Sequence, residues 1–579
     1  GAVANIRGSE KVGALTMGEG TTLNLGAKAG GTAGKHVVFT IDSTVNDSHS
    51  DVAGNLVGGS DTTLAVIGDG KSDQADLTIK SANKDFLGDI HLTGAHVKLE
   101  SLNSLGVSGT VVFDEDSTVE ISSSSNEGTT SDNHYGEGVE RNVHIFQNLL
   151  VGDGTLRVTL DNADDYFDFD ARQYTYEDPD KQNFTGTMEL VSGIFKFTEK
   201  NATVLQSVEV VLDENGTLDI SGQPGNTVDR TIRGLTLVGG TLEFGSLSID
   251  RVNTEAMSAH VDLMENDLKL ADPEKKVQIS FDQNAANNLS ATGSEIVNAS
   301  DEDGSKIVLI HNIGDLKVIE NGEERVFGSN DRLDDYMQLD LSDTNEKQTL
   351  KQALTTNPDG ELVDVATVHR NFGSFGYEDL ADVDLGNAVY VDYQINSIEL
   401  IHTTTDADAG DKRWEGLTVS TSEAANNLGA HLSGAGNLVI AEGTGNKPLF
   451  IGSTKPESEQ NEYEGRTWVQ AGADVAFAAD NAFGKTSALR VDAGATVDLN
   501  GHSQIVGDLF IYGDDSLVGA AGSTLKVTGT SEISGTSRYE GEILFDSKDA
   551  VTGFVTEVEG LGTSMSIGDK YTLEVTDQT

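Results

Sequence analysis

Five aspartates within ten residues form the group in this sequence that is best placed to do chemistry. Their carboxylates could supply oxygen ligands to Ca²⁺, which takes roughly six to eight oxygens. As a pair flanking a glycosidic bond, two of them could cleave it. A third interpretation is a solvated acidic loop that leaves the main fold. The candidate binding residues are Asp161, Asp164, Asp165, Asp168 and Asp170.

The neighbouring residues extend this acidic segment and favour the solvated-loop interpretation. Glu177, Asp178 and Asp180 continue the charge. Interleaved aromatic residues predict a protruding loop near 161–180 with a small packing of its own; they are Tyr166, Phe167, Phe169, Tyr174 and Tyr176. The Gly-Gly-x-Gly-x-Asp repeat, which binds Ca²⁺ in one class of secreted proteins, is absent. We therefore expect no cofactor, with Ca²⁺ as the one ion that this loop could bind.

The sequence lacks the short motifs by which many hydrolases are recognised. It contains no Gly-Asp-Ser-Gly or Gly-x-Ser-x-Gly segment for a serine nucleophile, and no His-Glu-x-x-His segment for zinc. We therefore predict that the protein is not an enzyme. One alternative stays open, a carbohydrate-active β-helix enzyme that uses aspartates such as Asp168 and Asp170.

The charge of the chain excludes several classes of partner. Asp and Glu number 95 against 38 Lys and Arg, which gives a formal net charge of −57. Nucleic acid and anionic lipid both need clustered cations, so we expect neither as a partner. Cysteine is absent. This absence fits a chain that crosses an oxidising compartment unfolded, where a disulfide would hinder passage.

The elements that position these side chains are predicted to be short strands. A pattern of Thr, an aliphatic residue, any residue and an apolar residue recurs, as in Thr118-Val119-Glu120-Ile121 and Thr217-Leu218-Asp219-Ile220. The pattern gives each strand one apolar and one polar face. Turn dipeptides such as Asp153-Gly154 and Asn500-Gly501 separate the strands. The chain is therefore predicted to be all-β.

Three longer repeats can be superimposed on one another. Each opens with aromatic-x-Gly and closes with Asp-x-x-small-Thr-aliphatic-acidic-aliphatic, and the three begin at Phe86, Phe184 and Tyr463. Alternation alone does not separate a solenoid from a series of antiparallel sandwiches. The repeats favour the solenoid, because each unit needs a neighbour to bury its apolar face. Proline-containing linkers, which are typical of sandwich arrays, are not evident.

This repeat resembles the passenger-associated transport repeat of autotransporters. The acidic context without cysteine is similar to that of the self-associating adhesins of the AIDA type, and the likeness covers roughly 10–250 and 415–530. The resemblance implies a right-handed parallel β-helix, a solenoid with extra-helical loops. It also implies export by type V secretion to the bacterial cell surface. Membrane attachment would then come only through a C-terminal barrel that is not present in this chain.

The same resemblance implies that the protein is an adhesin acting in cell adhesion, autoaggregation, biofilm formation and virulence. Its expected partners are host cell-surface or extracellular-matrix glycans or proteins, and copies of itself on neighbouring cells. Two acidic rods repel each other, so self-association would need an uncharged or mixed-charge strip, cation bridging or salt. A further alternative is a structural stalk that presents another binding module.

Three segments can be distinguished along the sequence. Residues 1–250 are predicted to form N-terminal β-helix rungs that carry the acidic loop near 161–180. Residues 251–415 depart from the repeat and are predicted to be an irregular β-helix segment or an embedded insertion, with helical pieces around 254–270 and 343–355. Residues 416–579 are predicted to form C-terminal rungs that reach the start of a terminal folding module.

Overall fold

The fold is all-β and its sheets are mostly parallel, which confirms the predicted class. The structure is a computed structural model. It describes residues 1–26, 36–45, 48–70, 74–114, 116–123, 129–131, 141–170, 173, 184–198, 202–221, 230–246, 260–282, 296–297, 305–340, 347–353, 362–381, 384–403, 410–422, 426–445, 447–452, 460–534, 538–539, 541–545 and 566–567. Among these residues, no helix is long and apolar enough to cross a membrane.

The first segment consists of short strands and one helical turn, α1 (Ala202–Leu205). Its strands are β1 (Val3–Ile6), β2 (Glu10–Val12), β3 (Thr16–Met17), β4 (Thr22–Leu25), β5 (Val37–Asp42), β6 (Ser50–Val52), β7 (Asn55–Gly58), β8 (Thr62–Ile67), β9 (Leu77–Ile79), β10 (Asp89–Thr93), β11 (His96–Leu99), β12 (Thr110–Phe113), β13 (Thr118–Ser123), β14 (Thr129–Ser131), β15 (Arg141–Phe146), β16 (Leu149–Gly152), β17 (Thr155–Leu160), β18 (Tyr166–Phe169), β19 (Thr187–Lys196), β20 (Glu209–Asp219), β21 (Arg230–Thr231), β22 (Gly234–Leu237) and β23 (Thr241–Ser246).

Strands of this segment pair in parallel with strands one repeat further along the chain. Thr118 of β13 lies opposite Thr155 of β17, which lies opposite Thr187 of β19. The alternating sequence puts Val119 and Leu156 on the inner side, where both are fully buried, while the threonines face outward and are partly exposed. The predicted Thr-aliphatic pattern is therefore the pattern of one polar and one buried face.

Steric contact with the preceding repeat explains why the aromatic-x-Gly repeat has glycine at its third position. At Gly465 an added Cβ would lie 1.8 Å from the carbonyl oxygen of Gly436, and at Gly186 it would lie 1.9 Å from that of Gly154. No side chain fits at these distances, because the preceding repeat approaches the backbone too closely. The aromatic residues that open the three repeats, Phe86, Phe184 and Tyr463, are at most 1% exposed.

Buried asparagines tie consecutive repeats together. Asn83 accepts a hydrogen bond from the backbone N–H of Leu56 at 2.7 Å and donates one to the carbonyl of Ser104 at 2.7 Å. Asn461 does the same between Leu432 and Ala482, also at 2.7 Å in each case. Each amide thus joins the repeat before it to the repeat after it. Their burial is compensated because both the oxygen and the nitrogen find backbone partners.

The middle segment mixes parallel and antiparallel pairing. It contains β24 (Val261–Leu270), β25 (Val277–Asp282), β26 (Ser305–Glu320), β27 (Glu323–Val326), a 3₁₀ turn (Leu333–Asp335), β28 (Met337–Leu339), β29 (Lys347–Ala353), β30 (Leu362–Asp379) and β31 (Asn387–Leu400). Strand β26 is parallel to β24 and antiparallel to β31, and β30 is antiparallel to both β29 and β31. Strand β31 then pairs in parallel with the strand His431–Gly434, where the parallel order resumes.

The helical pieces predicted in this segment are strands wherever the structure describes them. In β24 the buried residues Val261 and Leu263 are separated from Leu268 and Leu270 by a bulge with left-handed backbone at Met264 and Glu265 (φ 48° and 61°). Two short alternating patterns joined by this bulge imitate the spacing of a helix. The second piece, Lys347–Ala353, is rich in helix-forming residues but pairs with β30, because tertiary pairing overrides local propensity.

The last segment returns to parallel strands after a 3₁₀ turn (Gly410–Trp414). Its strands are β32 (Leu417–Val419), β33 (Asn427–Leu428), β34 (His431–Gly434), β35 (Leu438–Ile440), β36 (Leu449–Ile451), β37 (Arg466–Val469), β38 (Asp474–Phe477), β39 (Ala488–Val491), β40 (Thr496–Asp498), β41 (Ser503–Val506), β42 (Asp508–Tyr512), β43 (Leu517–Gly519), β44 (Thr524–Val527), β45 (Ser531–Ser534), β46 (Arg538–Tyr539), β47 (Glu542–Phe545) and β48 (Ser566–Ile567). One sheet has the order β32-β35-β37-β39-β42-β45.

Buried aliphatic and aromatic side chains run along the inner faces of these strands. They form one cluster in the first and middle segments and a second in the middle and last segments. Ile307 and Phe372 of the middle segment pack against both clusters. The middle segment therefore connects the two cores, although its strand order departs from the repeat.

Candidate functional site

The five predicted aspartates do not share one environment. Asp161 and Asp164 are exposed at the turn between β17 and β18, and Asp168 and Asp170 are partly exposed. Asp165 is 2% exposed and lies under this turn. The continuation of the acidic segment through Glu177, Asp178 and Asp180, together with Tyr174 and Tyr176, lies outside the described residues.

Asp165 is held by a buried polar chain that connects three strands. Its Oδ2 lies 3.1 Å from Nε2 of His144, and Nδ1 of His144 lies 3.1 Å from Oγ of Ser123. Ser123 and His144 are fully buried. Asn162 donates to Asp165 Oδ1 at 2.8 Å, and Asn142 donates to both carboxylate oxygens at 3.3 Å. Both carboxylate oxygens of Asp165 therefore accept hydrogen bonds from other side chains of the protein.

The hydrogen-bonded order Ser–His–Asp is that of a hydrolase triad, but here the serine is buried, whereas a catalytic serine must be accessible to the substrate. In the triad the serine oxygen faces a site that a reacting carbonyl enters. Here Ser123 has no exposed surface, and each residue lies on a different one of three strands, β13, β15 and the entry to β18. The hydrogen bonds satisfy buried polar groups and fix the register of these strands.

Metal binding by the acidic segment stays a prediction. Within the described parts of the chain, no three His, Asp or Glu side chains converge in a way that could hold a metal ion. Asp165 faces inward toward His144, whereas Asp161 and Asp164 face solvent. The described carboxylates therefore do not form a closed set of oxygen ligands.

A column of mostly charged side chains runs along the outward side of the parallel strands, and their sign alternates from Lys98 to Glu189. The residues follow one another in register through β6, β9, β11, β13, β17, β19, β20, β22, β24 and β26. We call its charged members the charge strip: Asp51, Lys98, Glu120, Arg157, Glu189, Lys269 and Lys317. Ten strands at about 4.8 Å spacing give the column a length on the order of 40 Å.

Ion pairs within and beside the charge strip hold its side chains in place. Lys98 Nζ lies 2.7 Å from Glu120, and Arg157 Nε lies 2.8 Å from Glu189. Hydrogen bonds from His96 and Lys98 lower the pKa of Glu120 to about 2, so this carboxylate is charged at any physiological pH. Arg157 and Lys98 keep 38% of their side-chain surface exposed. They are therefore both ordered and accessible to a partner.

The charge strip differs electrostatically from the rest of the chain. Its four cations and three anions sum to +1, against −57 for the whole sequence, although acidic partners of its lysines, Glu209, Asp267 and Glu324, lie beside it. The cations of one strip can face the anions of a second copy, which reduces the repulsion between two acidic rods. The strip is the kind of mixed-charge surface that the sequence analysis required for self-association.

A solvent-accessible cavity lies beside the hairpins of the middle segment. Its volume is about 490 Å³, and its lining includes Phe327, Arg332, Leu333, Phe375 and Tyr377. Asp331 shapes the rim, because it accepts two hydrogen bonds from Arg325 at 2.6 and 2.9 Å. The lining is mixed, because Ser329, Asp334 and Ser374 add polar groups beside the aromatic and aliphatic side chains.

Sequence reasoning missed the charge strip, although the signal was present. Superimposing the short repeats at their third position gives Lys98, Glu120, Arg157 and Glu189 in succession. The alternation of sign is visible only when the repeats are aligned as neighbours. His144 was also missed, and its distance of 21 residues from both Ser123 and Asp165 is the signal that would have placed the three on successive strands.

Comparison with known proteins does not assign the chain to a family. No protein-family model matches the sequence, and no curated protein matches it significantly.

Proposed function

We propose that this protein is the passenger of an AIDA-type autotransporter, a right-handed parallel β-helix with extra-helical loops, displayed on the bacterial surface. In this proposal it works by binding and not by catalysis. It attaches cells to one another, and to host-surface or matrix molecules, and so promotes aggregation and biofilm formation. The in-register parallel strands, one repeat apart in sequence, support the β-helix.

The charge strip is the observation that carries the aggregation part of this proposal. A polar surface on the order of 40 Å long offers many weak contacts in a row. With many copies on each cell, such contacts multiply into strong attachment without any single tight site. The charges that alternate from Lys98 to Glu189 also specify register, because a shift of one strand brings like charges together.

The test uses paired charge reversals on cells that display the chain. The first variant, Lys98→Glu with Arg157→Glu, makes the middle of the strip negative. The second, Glu120→Lys with Glu189→Lys, makes it positive. We expect each variant alone to lose cell clumping in a settling assay, because like charges face each other. A mixture of the two cell populations is expected to clump again.

A matched control keeps the charge change and moves it elsewhere. Lys11→Glu with Lys485→Glu alters two exposed ion-paired lysines outside the strip and should leave clumping unchanged. Surface display of every variant is checked by antibody labelling of intact cells. Normal clumping of both single-sign strip variants would contradict the proposal.

The cavity of the middle segment favours a second candidate, a stalk that presents a binding module within residues 251–415. In that case Tyr377→Ala and Phe375→Ala should abolish attachment to host cells or matrix while clumping is retained. If neither variant loses attachment, the cavity has no role in attachment.

A further inference from the structure

A cluster of arginine and aromatic side chains lies on the outer side of the last segment, away from the charge strip. The sheet places Trp468, Arg490 and Phe510 opposite one another on β37, β39 and β42. The 3₁₀ turn before β32 lays Trp414 across this column, where it is 2% exposed and packs edge-on against Phe510 with ring centroids 5.9 Å apart.

Three guanidinium groups surround the indole of Trp414. Those of Arg413, Arg466 and Arg490 lie 5.6, 5.8 and 5.9 Å from its ring centroid. Arg490 also lies 4.7 Å from the ring centroid of Trp468. Cation–π attraction holds the charges near the ring. The concentration of three cations is notable in a chain whose net charge is −57.

The charges of this cluster are unequally compensated. Arg490 pairs with Asp411 and with Asp492, and the Asp492 carboxylate also accepts from Trp468 Nε1 at 2.9 Å. In the described part of the chain, Arg413 and Arg466 form no ion pair. Arg466 donates instead to the carbonyl oxygen of Arg413 at 3.1 Å.

Arg413 and Arg466 lie close enough for their charges to repel each other. Nε of Arg413 is buried, and no acceptor lies within reach among the described residues. Burial and the neighbouring charge of Arg413 lower the pKa of Arg466, and the Asp508 carboxylate offsets only part of this effect. An anion placed between the two guanidinium groups would relieve their repulsion, and a carboxylate suits their planar, paired donors.

The aromatic rings supply the other half of a binding surface. Trp468, Phe510 and Tyr512 are partly exposed beside the arginines, and Tyr512 lies 5.9 Å from the Arg490 guanidinium. Flat rings next to donors are suited to a ligand with both an apolar face and polar edges. A sugar ring that carries a carboxylate has this combination.

We propose that the Arg–Trp face, formed by Arg413, Trp414, Arg466, Trp468, Arg490, Phe510 and Tyr512, binds an acidic saccharide. Arg413 and Arg466 hold the carboxylate, and the ring of the sugar stacks on the exposed aromatic surface. Its role in attachment rests on the proposed function, whereas the binding itself does not. Nucleic acid fits less well, because a polyphosphate would extend from three cations onto a strongly acidic surface.

Intrinsic fluorescence tests this proposal directly, since the two tryptophans of the chain both lie in the Arg–Trp face. The purified chain is titrated with sialyllactose and with a hyaluronan tetrasaccharide, which are two sources of a carboxylate-bearing sugar. Lactose and chitotetraose serve as neutral counterparts. We expect a saturable change in emission with at least one acidic saccharide and none with its neutral counterpart. The responding sugar identifies the source.

Variants assign the response to the arginines. Arg466→Gln and Arg413→Gln should each weaken binding by about tenfold or more, because each removes one charged donor pair. Arg466→Lys keeps the charge without the planar fork and should bind with intermediate affinity, which also guards against a misfolded Gln variant. Arg7→Gln, at an exposed arginine of the first segment outside the charge strip, is the matched control and should stay within about twofold of the wild type.

Several outcomes would overturn the proposal. They are the absence of a saturable change with both acidic sugars, an equal response to neutral sugars, and tighter binding of oligothymidylate or of a polyglutamate peptide. If the protein binds no acidic sugar but cells that display it clump normally, only this inference is refuted. Sugar binding by a chain whose strip variants clump normally would refute the proposed aggregation function alone.

Discussion

Replacing the repeat glycine Gly465 with alanine should open the contact between two neighbouring repeats. The new Cβ would lie 1.8 Å from the carbonyl oxygen of Gly436, and real Cβ contacts essentially never fall below 3.0 Å, so the backbones must separate by at least 1.2 Å (3.0 − 1.8). Two backbone N–H groups beside Gly465 donate hydrogen bonds across this contact, Glu464 N to the Gly434 carbonyl and Arg466 N to Oδ1 of Asn437, both 2.8 Å long. Neither survives such a shift.

The expected cost follows from these numbers. Two lost hydrogen bonds contribute about 1 kcal/mol each, and overpacking of a dense interior adds about 1–3 kcal/mol. Local stability around β35 and β37 should therefore fall by roughly 3–5 kcal/mol. In a repetitive fold this loss stays near its site, because each repeat contacts mainly its neighbours.

Hydrogen exchange measured by mass spectrometry is the suitable assay, because it resolves stability along the chain. Peptides that cover β35 and β37 should exchange at least about a hundredfold faster in Gly465→Ala, while peptides from the first segment are unchanged. Gly18→Ala is the control, since a Cβ at Gly18 meets no atom within 4 Å. Unchanged protection around Gly465→Ala would refute the close-approach explanation of the repeat glycine.

Two further predictions concern buried and partly buried carboxylates. The pKa of Glu120 in the folded protein is about 2, below its usual 4.5, so its stabilising contribution is complete above pH 4.5 and disappears as the pH falls toward 2. The difference in melting temperature between the wild type and Glu120→Gln should therefore shrink over this pH range. A difference that stays constant with pH would contradict the ion-pair explanation. Asp165→Ala should cost about 2–4 kcal/mol of local stability, because His144 loses its acceptor inside the protein, whereas Asp164→Ala should change it by less than about 0.5 kcal/mol. Hydrogen exchange in β15 and β18 compares the two, and equal effects would show that burial of Asp165 is unimportant.

Features that depend on neighbouring residues in sequence were predictable. The alternation in Thr118-Val119-Glu120-Ile121 predicted a strand with one apolar and one polar face, and Val119 and Ile121 are indeed buried. The all-β class followed from such patterns. In β24 the same reasoning failed, because the left-handed residues Met264 and Glu265 interrupt the alternation and no local signal marks such a bulge.

Features that depend on stacking were not predictable from one repeat at a time. The acidic segment looked like one group of five carboxylates, yet Asp165 lies inward with His144 while Asp164 lies in solvent. Whether Asp164 or Asp165 points inward depends on the length of the turn after β17. An alternating pattern does not specify where the strand after that turn begins. The Arg–Trp face also forms only when strands about 20 residues apart are placed side by side.

The parallel pairing of neighbouring repeats has a consequence for how the chain folds. The parallel partners Val3 and Thr22 are 19 residues apart and Thr110 and Leu149 are 39 apart, whereas the antiparallel partners Ser305 and Tyr393 of the middle segment are 88 apart. Contacts between neighbouring parallel repeats are therefore local in sequence. Loop-closure entropy grows slowly with loop length, so a repeat of 20 and one of 40 residues differ by only about 0.6 kcal/mol at each step. Once one repeat has formed, it serves as a template for the next, and folding can proceed from one end without waiting for the other.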